Sequence, residues 1–180
     1  DNAINIHACN VEDIMDKKRV KDVSEVDRAK MLHKFVHLND EKLQIAPNTI
    51  VIIEHQPAKM NSMTGGMSNL KSSAVSNQLA FHYSPYATHF IDPKLKNKIV
   101  LAQGLDYNTI LEIVKPRFKK LSDAKYAARK AQTSQNLMHL LGVFDKQHVV
   151  AHVRKAVFDD LADAVIQVFA YCVENKLFAV

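Results

Sequence analysis

TIVIIEHQP, residues 49–57, is the stretch that decides the fold class. Ile50, Val51, Ile52 and Ile53 are four β-branched apolar residues in succession and leave no polar face for solvent. They predict a strand buried on both sides, the kind that helix-covered sheets contain. Upstream, Ser24 followed by Asp27 has the form of an N-cap with an acid in the first turn, and Val26, Ala29, Leu32, Phe35 and Val36 share one helical face. A helix from about Ser24 to Leu43 follows from that spacing. Pro47 and Asn48 then interrupt the chain before the strand.

Downstream, MNSMTGGMSN (Met60–Asn69) holds two of the four glycines and predicts a loop; it lacks the Gly-Lys-Ser/Thr ending of a phosphate-cradling loop. Lys71–His82 predicts a helix. THFIDP (Thr88–Pro93) predicts a strand and KIVLA (Lys98–Ala102) another short one. Helices are predicted over Tyr107–Val114, ended by Pro116, over about Ser122–Leu141, closed by Gly142 as a C-cap, and over Asp159–Asn175. At the start, AINIHAC (Ala3–Cys9) alternates enough for a short strand, and DKKRVKD (Asp16–Asp22) is a loop by its charge. Strands alternating with helices argue an α/β fold, and 180 residues suit one domain spanning 1–180.

The composition narrows the partners. Lys and Arg total 24 against 19 Asp and Glu, a formal charge of +5 that permits a polyanionic partner without requiring one. Cys9 and Cys172 stand far apart in no Cys-x-x-Cys or Cys/His pattern, so neither a disulfide framework nor a structural zinc site is indicated, and a reducing, intracellular setting is expected. The sequence holds no apolar run long enough for a membrane span and no basic-then-apolar leader.

VFDDLADAVIQVFAYC (Val157–Cys172) carries the chemistry. On a helix, Leu161, Ala162, Val165, Phe169 and Val173 make one apolar arc, and Asp159, Asp160 and Asp163 share its flank. Carboxylates three or four residues apart repel unless a cation stands between them. Acids at a helix N-terminus are favoured by the macrodipole, which accounts for Asp159 and Asp160 better than for Asp163, a full turn inside. Glu54 leaves a strand at its carboxyl end, where open α/β sheets build sites. Carboxylates gathered without His or Cys suit hard, oxygen-seeking Mg²⁺ or Mn²⁺, and two such ions activate a water and stabilise the leaving oxygen in phosphodiester hydrolysis. Glu54 as a surface residue just past its strand is the plainer alternative.

IVIIEHQP and DDLADAV resemble the second and the last two acidic motifs of RuvC-type Holliday-junction resolvases, with the E-x-Q-P flavour of the poxviral and fungal mitochondrial branches. The resemblance runs from about Val51 to Val173 and implies an RNase H-like mixed sheet flanked by helices. It implies that Glu54, Asp160 and Asp163 are catalytic metal ligands for Mg²⁺ or Mn²⁺, with Asp159 the neighbouring alternative to Asp160 in the D-x-x-D spacing. YAARKAQ resembles the basic stretch that precedes the final helices of these resolvases, which puts Lys130 or Arg129 near the scissile phosphate. The family's first catalytic aspartate belongs to a D-x-G-like motif in an opening strand; Asp1 lacks that context, and that N-terminal strand is expected to be missing from this sequence.

KPRFKKLSDAKYAARK (Lys115–Lys130) sets seven basic residues against the single acid Asp123, a net of +6. Lys115, Arg117, Lys119, Lys120, Lys125 and Arg129 are the candidate DNA contacts, whose binding would weaken with salt; a solvated helix face is the other explanation. His33/His37 and His148/His152 have the i,i+4 spacing of a transition-metal pair but no Glu in the right place, and are expected to be ordinary surface or core histidines. His55 alternates away from Glu54 and is left out of the site. Met60, Met63 and Met67 are expected to cover a loop or an interface. The function expected is Mg²⁺-dependent endonucleolytic resolution of four-way DNA junctions by a homodimer, since symmetric cleavage needs two active sites, in the infected-cell cytoplasm of a virus or in a mitochondrion. The alternative is a basic α/β nucleic-acid-binding module that does not cleave, its acids structural.

Overall fold

The computed structural model describes residues 22–43, 46–56, 59–60, 67–68, 70–151 and 153–177. The predicted Ala3–Cys9 strand, Asp1, Cys9 and most of the Asp16–Asp22 loop lie outside them, as do Met63 and His152. The described chain is α/β and mostly helical, with five α-helices and a two-stranded parallel sheet. It falls into two compact units, one running to Pro93 and one starting at Lys94.

In the first unit, α1 (Glu25–Leu43) starts where the cap signal puts it. The Asp27 N–H donates to Ser24 Oγ at 3.1 Å, and that hydroxyl donates back to the Asp27 carboxylate at 2.8 Å. β1 (Ile50–Glu54) follows, then a two-residue antiparallel ladder of β2 (Lys59–Met60) and β3 (Met67–Ser68), α2 (Leu70–His82) and β4 (Ala87–Ile91). β1 and β4 pair in parallel from Ile50↔Ala87 to Glu54↔Ile91, and the His55 N–H extends the ladder to the Ile91 carbonyl. Parallel strands cannot be joined by a tight turn, and the crossover here includes α2.

The expectation that β1 is buried on both sides is corrected. Ile53 is buried, Val51 packs with Leu32, Val36, Leu79 and Tyr83 of the small core, and Ile50 is 41% exposed. The helices cover the Val51 face, a sheet of two strands leaves Ile50 and Ile52 of the other face half open, and Phe90 of β4, the neighbour of Ile53, is exposed at the sheet's edge.

In the second unit α3 (Tyr107–Val114) is capped by Asp106, which accepts from the Thr109 N–H at 3.0 Å and from its hydroxyl at 2.6 Å. α4 (Leu121–Val143) packs along α5 (Lys155–Glu174), and the core between them is Leu137, Leu140, Leu141, Leu161, Ala162, Ile166 and Phe169, with Val150 from the connecting turn. Three expectations change. α5 begins a turn before Asp159, because Phe158 already belongs to the core stripe and Arg154, in extended conformation, is the N-cap without lending its side chain. Gly142 lies inside α4; the left-handed residue that closes the helix is Asp145 (φ 52°), with the Lys146 N–H on the Leu141 carbonyl and the Asp145 N–H on that of Gly142. α5 ends the same way on Lys176 (φ 54°).

Lys98–Ala102 is not a strand. Its backbone groups are satisfied by buried side-chain amides instead of a ladder: the Leu101 N–H donates to Asn136 Oδ1 (3.1 Å), and Asn136 Nδ2 and Gln132 Nε2 donate to the Ile99 carbonyl (2.9 and 3.4 Å). This clips the segment to α4 and fixes the short 3₁₀ turn before it, Leu95–Lys98, on which Lys96 stands. Among the described residues no helix is long and apolar enough to cross a membrane.

Candidate functional site

Lys130 and Ser134 stand one turn apart on α4, facing the acidic flank of α5. Lys130 Nζ lies 3.0 Å from Asp160 Oδ1 and 2.9 Å from Asp163 Oδ2. Lys96 Nζ reaches the same Asp163 oxygen at 3.2 Å. Ser134 Oγ donates to Asp159 Oδ1 at 2.7 Å. The macrodipole explanation for these acids fails on the position of the helix start: the first turn of α5 holds no acid, and the aspartates sit in its second and third turns.

Two carboxylates about 5–6 Å apart on neighbouring helical positions repel by roughly 1 to 3 kcal/mol, from bulk water down to an effective dielectric of about 20. The Lys130 ammonium answers that repulsion by bridging them. Burial opposes its charge, but the hydrogen bonds and attraction of Asp163 and Asp160 outweigh burial and hold the ammonium above the ordinary lysine value. Asp160 and Asp163 are therefore the pair that shares a cation, and Asp159 is turned to a hydroxyl. The two shared carboxylates present the hard oxygens that Mg²⁺ or Mn²⁺ takes, with a monovalent cation already between them.

Of the residues singled out by sequence, Asp160, Asp163 and Lys130 meet in one cluster within the second unit. Glu54 belongs to the first unit, at the end of β1, where Gln56 Nε2 donates to its Oε1 at 2.5 Å. Among the described residues no group of three or more His, Cys, Asp or Glu side chains is gathered as a metal site. Lys96 and Ser134 were not legible as site residues: Lys96 is one of three lysines in PKLKNK, and nothing in the spacing separates it from Lys94 or Lys98.

Lys115, Arg117, Lys119, Lys120, Lys125 and Arg129 are all exposed. Lys115 has Glu112 at 3.6 Å. On α4, Ala124 and Ala128 are fully buried, so Lys125 and Arg129, each one residue on, project from the edge of the packed face. Arg129 adjoins Lys130, so the basic run leads along the helix to the aspartate pair.

The first unit holds a second polar cluster that the sequence did not announce. His82 Nε2 lies 2.8 Å from Asp40 Oδ2, and Tyr83 donates its hydroxyl to Asp40 Oδ1 at 3.1 Å. Nearby, α1 and α2 flank a groove of about 650 Å³ lined by Leu32, His33, Val36, Gln78, Phe81 and His82. His33 and His37 touch edge to face, ring centroids 4.2 Å apart. His148 sits in a 3₁₀ turn rather than on an α-helix, so helical i,i+4 spacing does not apply to it. His55 is exposed, with its ring 5.7 Å from that of Phe90.

Comparison with family models, curated proteins and solved structures finds no match.

Proposed function

We propose that this chain is the RNase H-like domain of a structure-selective endodeoxyribonuclease that resolves four-way DNA junctions by Mg²⁺- or Mn²⁺-dependent phosphodiester hydrolysis, acting as a homodimer. The observation that carries this is the Lys130 ammonium bridging Asp160 and Asp163 at 3.0 and 2.9 Å, at the end of an exposed basic run. Asp160 and Asp163 are the residues that would hold the metal. The bound ions would supply an activated water and stabilise the leaving oxygen. Arg129 and Lys130 would meet the phosphate, while Lys115, Arg117, Lys119, Lys120 and Lys125 hold the flanking backbone.

The test is metal-dependent stability together with substrate choice. At about a hundredfold excess over its Kd a bound ion adds about 2.7 kcal/mol, which for a chain of this size raises Tm by roughly 5 to 10 °C. Mg²⁺ or Mn²⁺ should give that rise, and Asp163→Asn should abolish it. At equal salt a four-way junction should be bound and cut in preference to a linear duplex or an RNA–DNA hybrid. Equal treatment of all three removes the resolvase assignment, and a Tm rise that survives in Asp163→Asn removes the metal assignment.

A second function, a basic nucleic-acid-binding module that does not cleave, is favoured by one specific fact: Asp159, Asp160 and Asp163 are each already matched by Ser134, Lys130 or Lys96. Its signature is salt-dependent junction binding with no metal-dependent change in Tm.

A further inference from the structure

Two ammonium groups converge on one oxygen. Lys130 comes from α4 and Lys96 from the 3₁₀ turn, and both point at Asp163 Oδ2, at 2.9 and 3.2 Å. Neither is a loosely solvated surface lysine: the Lys96 side chain is 12% exposed and that of Lys130 19%, against 68% for Asp160. The turn carrying Lys96 is held in place by the Asn136 and Gln132 amides on the Ile99 carbonyl, so its approach to Asp163 is built into the fold.

Asp160 and Asp163 thus face two ammonium groups, those of Lys130 and Lys96. A divalent ion entering between the aspartates would meet two cations at close range, so it binds well only if they leave. A lysine can do this, because its charge sits at the end of a flexible four-carbon stem. A phosphodiester is the ligand that would draw the two ammonium groups away, and the metal would restore the charge lost at the carboxylates.

We propose that Lys96 is a second working lysine of the site, and that Lys96 and Lys130 are exchangeable counter-cations of Asp160 and Asp163 that pass to a DNA phosphate as the metal takes their place. This rests on the nuclease function proposed above and adds a partner exchange to it: metal and DNA load together, each tightening the other by the same factor. Lys96 thereby becomes a phosphate-positioning residue, and the lysines keep the metal-free, DNA-free protein in a weakly metal-binding state.

The experiment titrates the full chain with Mn²⁺ by calorimetry, alone and with a saturating four-way junction. The wild type should bind Mn²⁺ about tenfold tighter with the junction present, a coupling of about 1.4 kcal/mol. In Lys96→Met/Lys130→Met, methionine keeps the apolar stem and removes the charge. That variant should bind Mn²⁺ about tenfold tighter than the wild type without DNA, and the junction should no longer change its affinity. Should the double variant fail to fold, Lys96→Met alone makes the same comparison, with a gain of about threefold expected. Lysines that only hold the fold together would give a lower Tm and unchanged or weaker Mn²⁺ binding, which overturns the proposal; so does a wild-type affinity indifferent to DNA. Mn²⁺ binding that responds to neither DNA nor the lysines sinks the exchange while leaving the metal site standing. Absence of Mn²⁺ binding in every form, with junction binding retained, sinks both and leaves the non-cleaving module.

Discussion

Tyr83 donates its hydroxyl to a carboxylate that also faces His82, and its pKa is pushed up to about 12. Burial is the larger cause; the hydrogen bond to Asp40 and the negative charge there add to it. All three disfavour the phenolate, so folding favours the protonated phenol. Because the folded pKa lies above the unfolded value of about 10, this contribution to stability is fully present below about pH 10 and is lost as pH rises toward 12. Denaturant unfolding measured from about pH 8 to about pH 12 should show stability falling across the upper part of that range, with tyrosinate absorbance appearing late. Tyr83→Phe should flatten the fall and cost on the order of 1 kcal/mol at neutral pH, the usual worth of one such hydrogen bond. If the variant keeps the wild-type pH profile, Tyr83 is not the titrating group. Nothing in "HYSPY" marks this residue, since its partner lies on another helix and is joined to it only by folding.

Among the elements, the segment after the Leu95–Lys98 turn is the clearest case of a backbone held by side chains from far along the chain. Asn136 is fully buried and serves both the Ile99 carbonyl and the Leu101 N–H. Asn136→Ala should destabilise by about 2 to 3 kcal/mol, because it removes two hydrogen bonds, strands the Leu101 N–H and leaves the Ile99 carbonyl only the longer bond from Gln132. A lower denaturation midpoint with an unchanged slope is the expected result; a loss under about 1 kcal/mol would mean that water replaces the amide. The same residues show what was legible in the sequence. α1 and α3 are legible because cap and periodicity are local, carried by Ser24 with Asp27 and by the apolar run before Pro116. KIVLA has the β-branched composition of a strand, while the groups that satisfy it sit at positions 132 and 136. The start of α5 is invisible in the sequence because its N-cap, Arg154, contributes backbone geometry and no side-chain signature. Asp159, Asp160 and Asp163 stand out by spacing and charge, while only the resemblance to the resolvases favours Asp160 over Asp159 and points to Lys130 or Arg129. Lys96 does not stand out, since only the tertiary fold distinguishes it from its neighbours.

At the scale of the whole molecule the decisive quantity is how charge is distributed. The chain's net charge is +5, yet the sixteen residues from Lys115 to Lys130 alone carry +6, so the rest is close to neutral and the attraction for a polyanion is concentrated in one segment. Without divalent metal Lys130 stays engaged with the aspartates, which leaves Lys115, Arg117, Lys119, Lys120, Lys125 and Arg129 as the exposed contacts. Each phosphate neutralised releases about 0.9 of a counterion from duplex DNA, so full engagement of these six would give a slope of log K against log salt near −5. Lys115, which already has Glu112 at 3.6 Å, should contribute less than the others. Alanine at Lys125 or Arg129 should make the slope shallower by about one and weaken junction and linear duplex alike, because a phosphate contact carries no base information. A slope near zero, or an alanine variant that alters preference between sequences instead, would assign the basic run to solubility rather than to the DNA backbone. Asp163→Asn should leave the slope at least as steep as in the wild type, since freeing Lys130 from one of its two carboxylates adds a cation to the same surface.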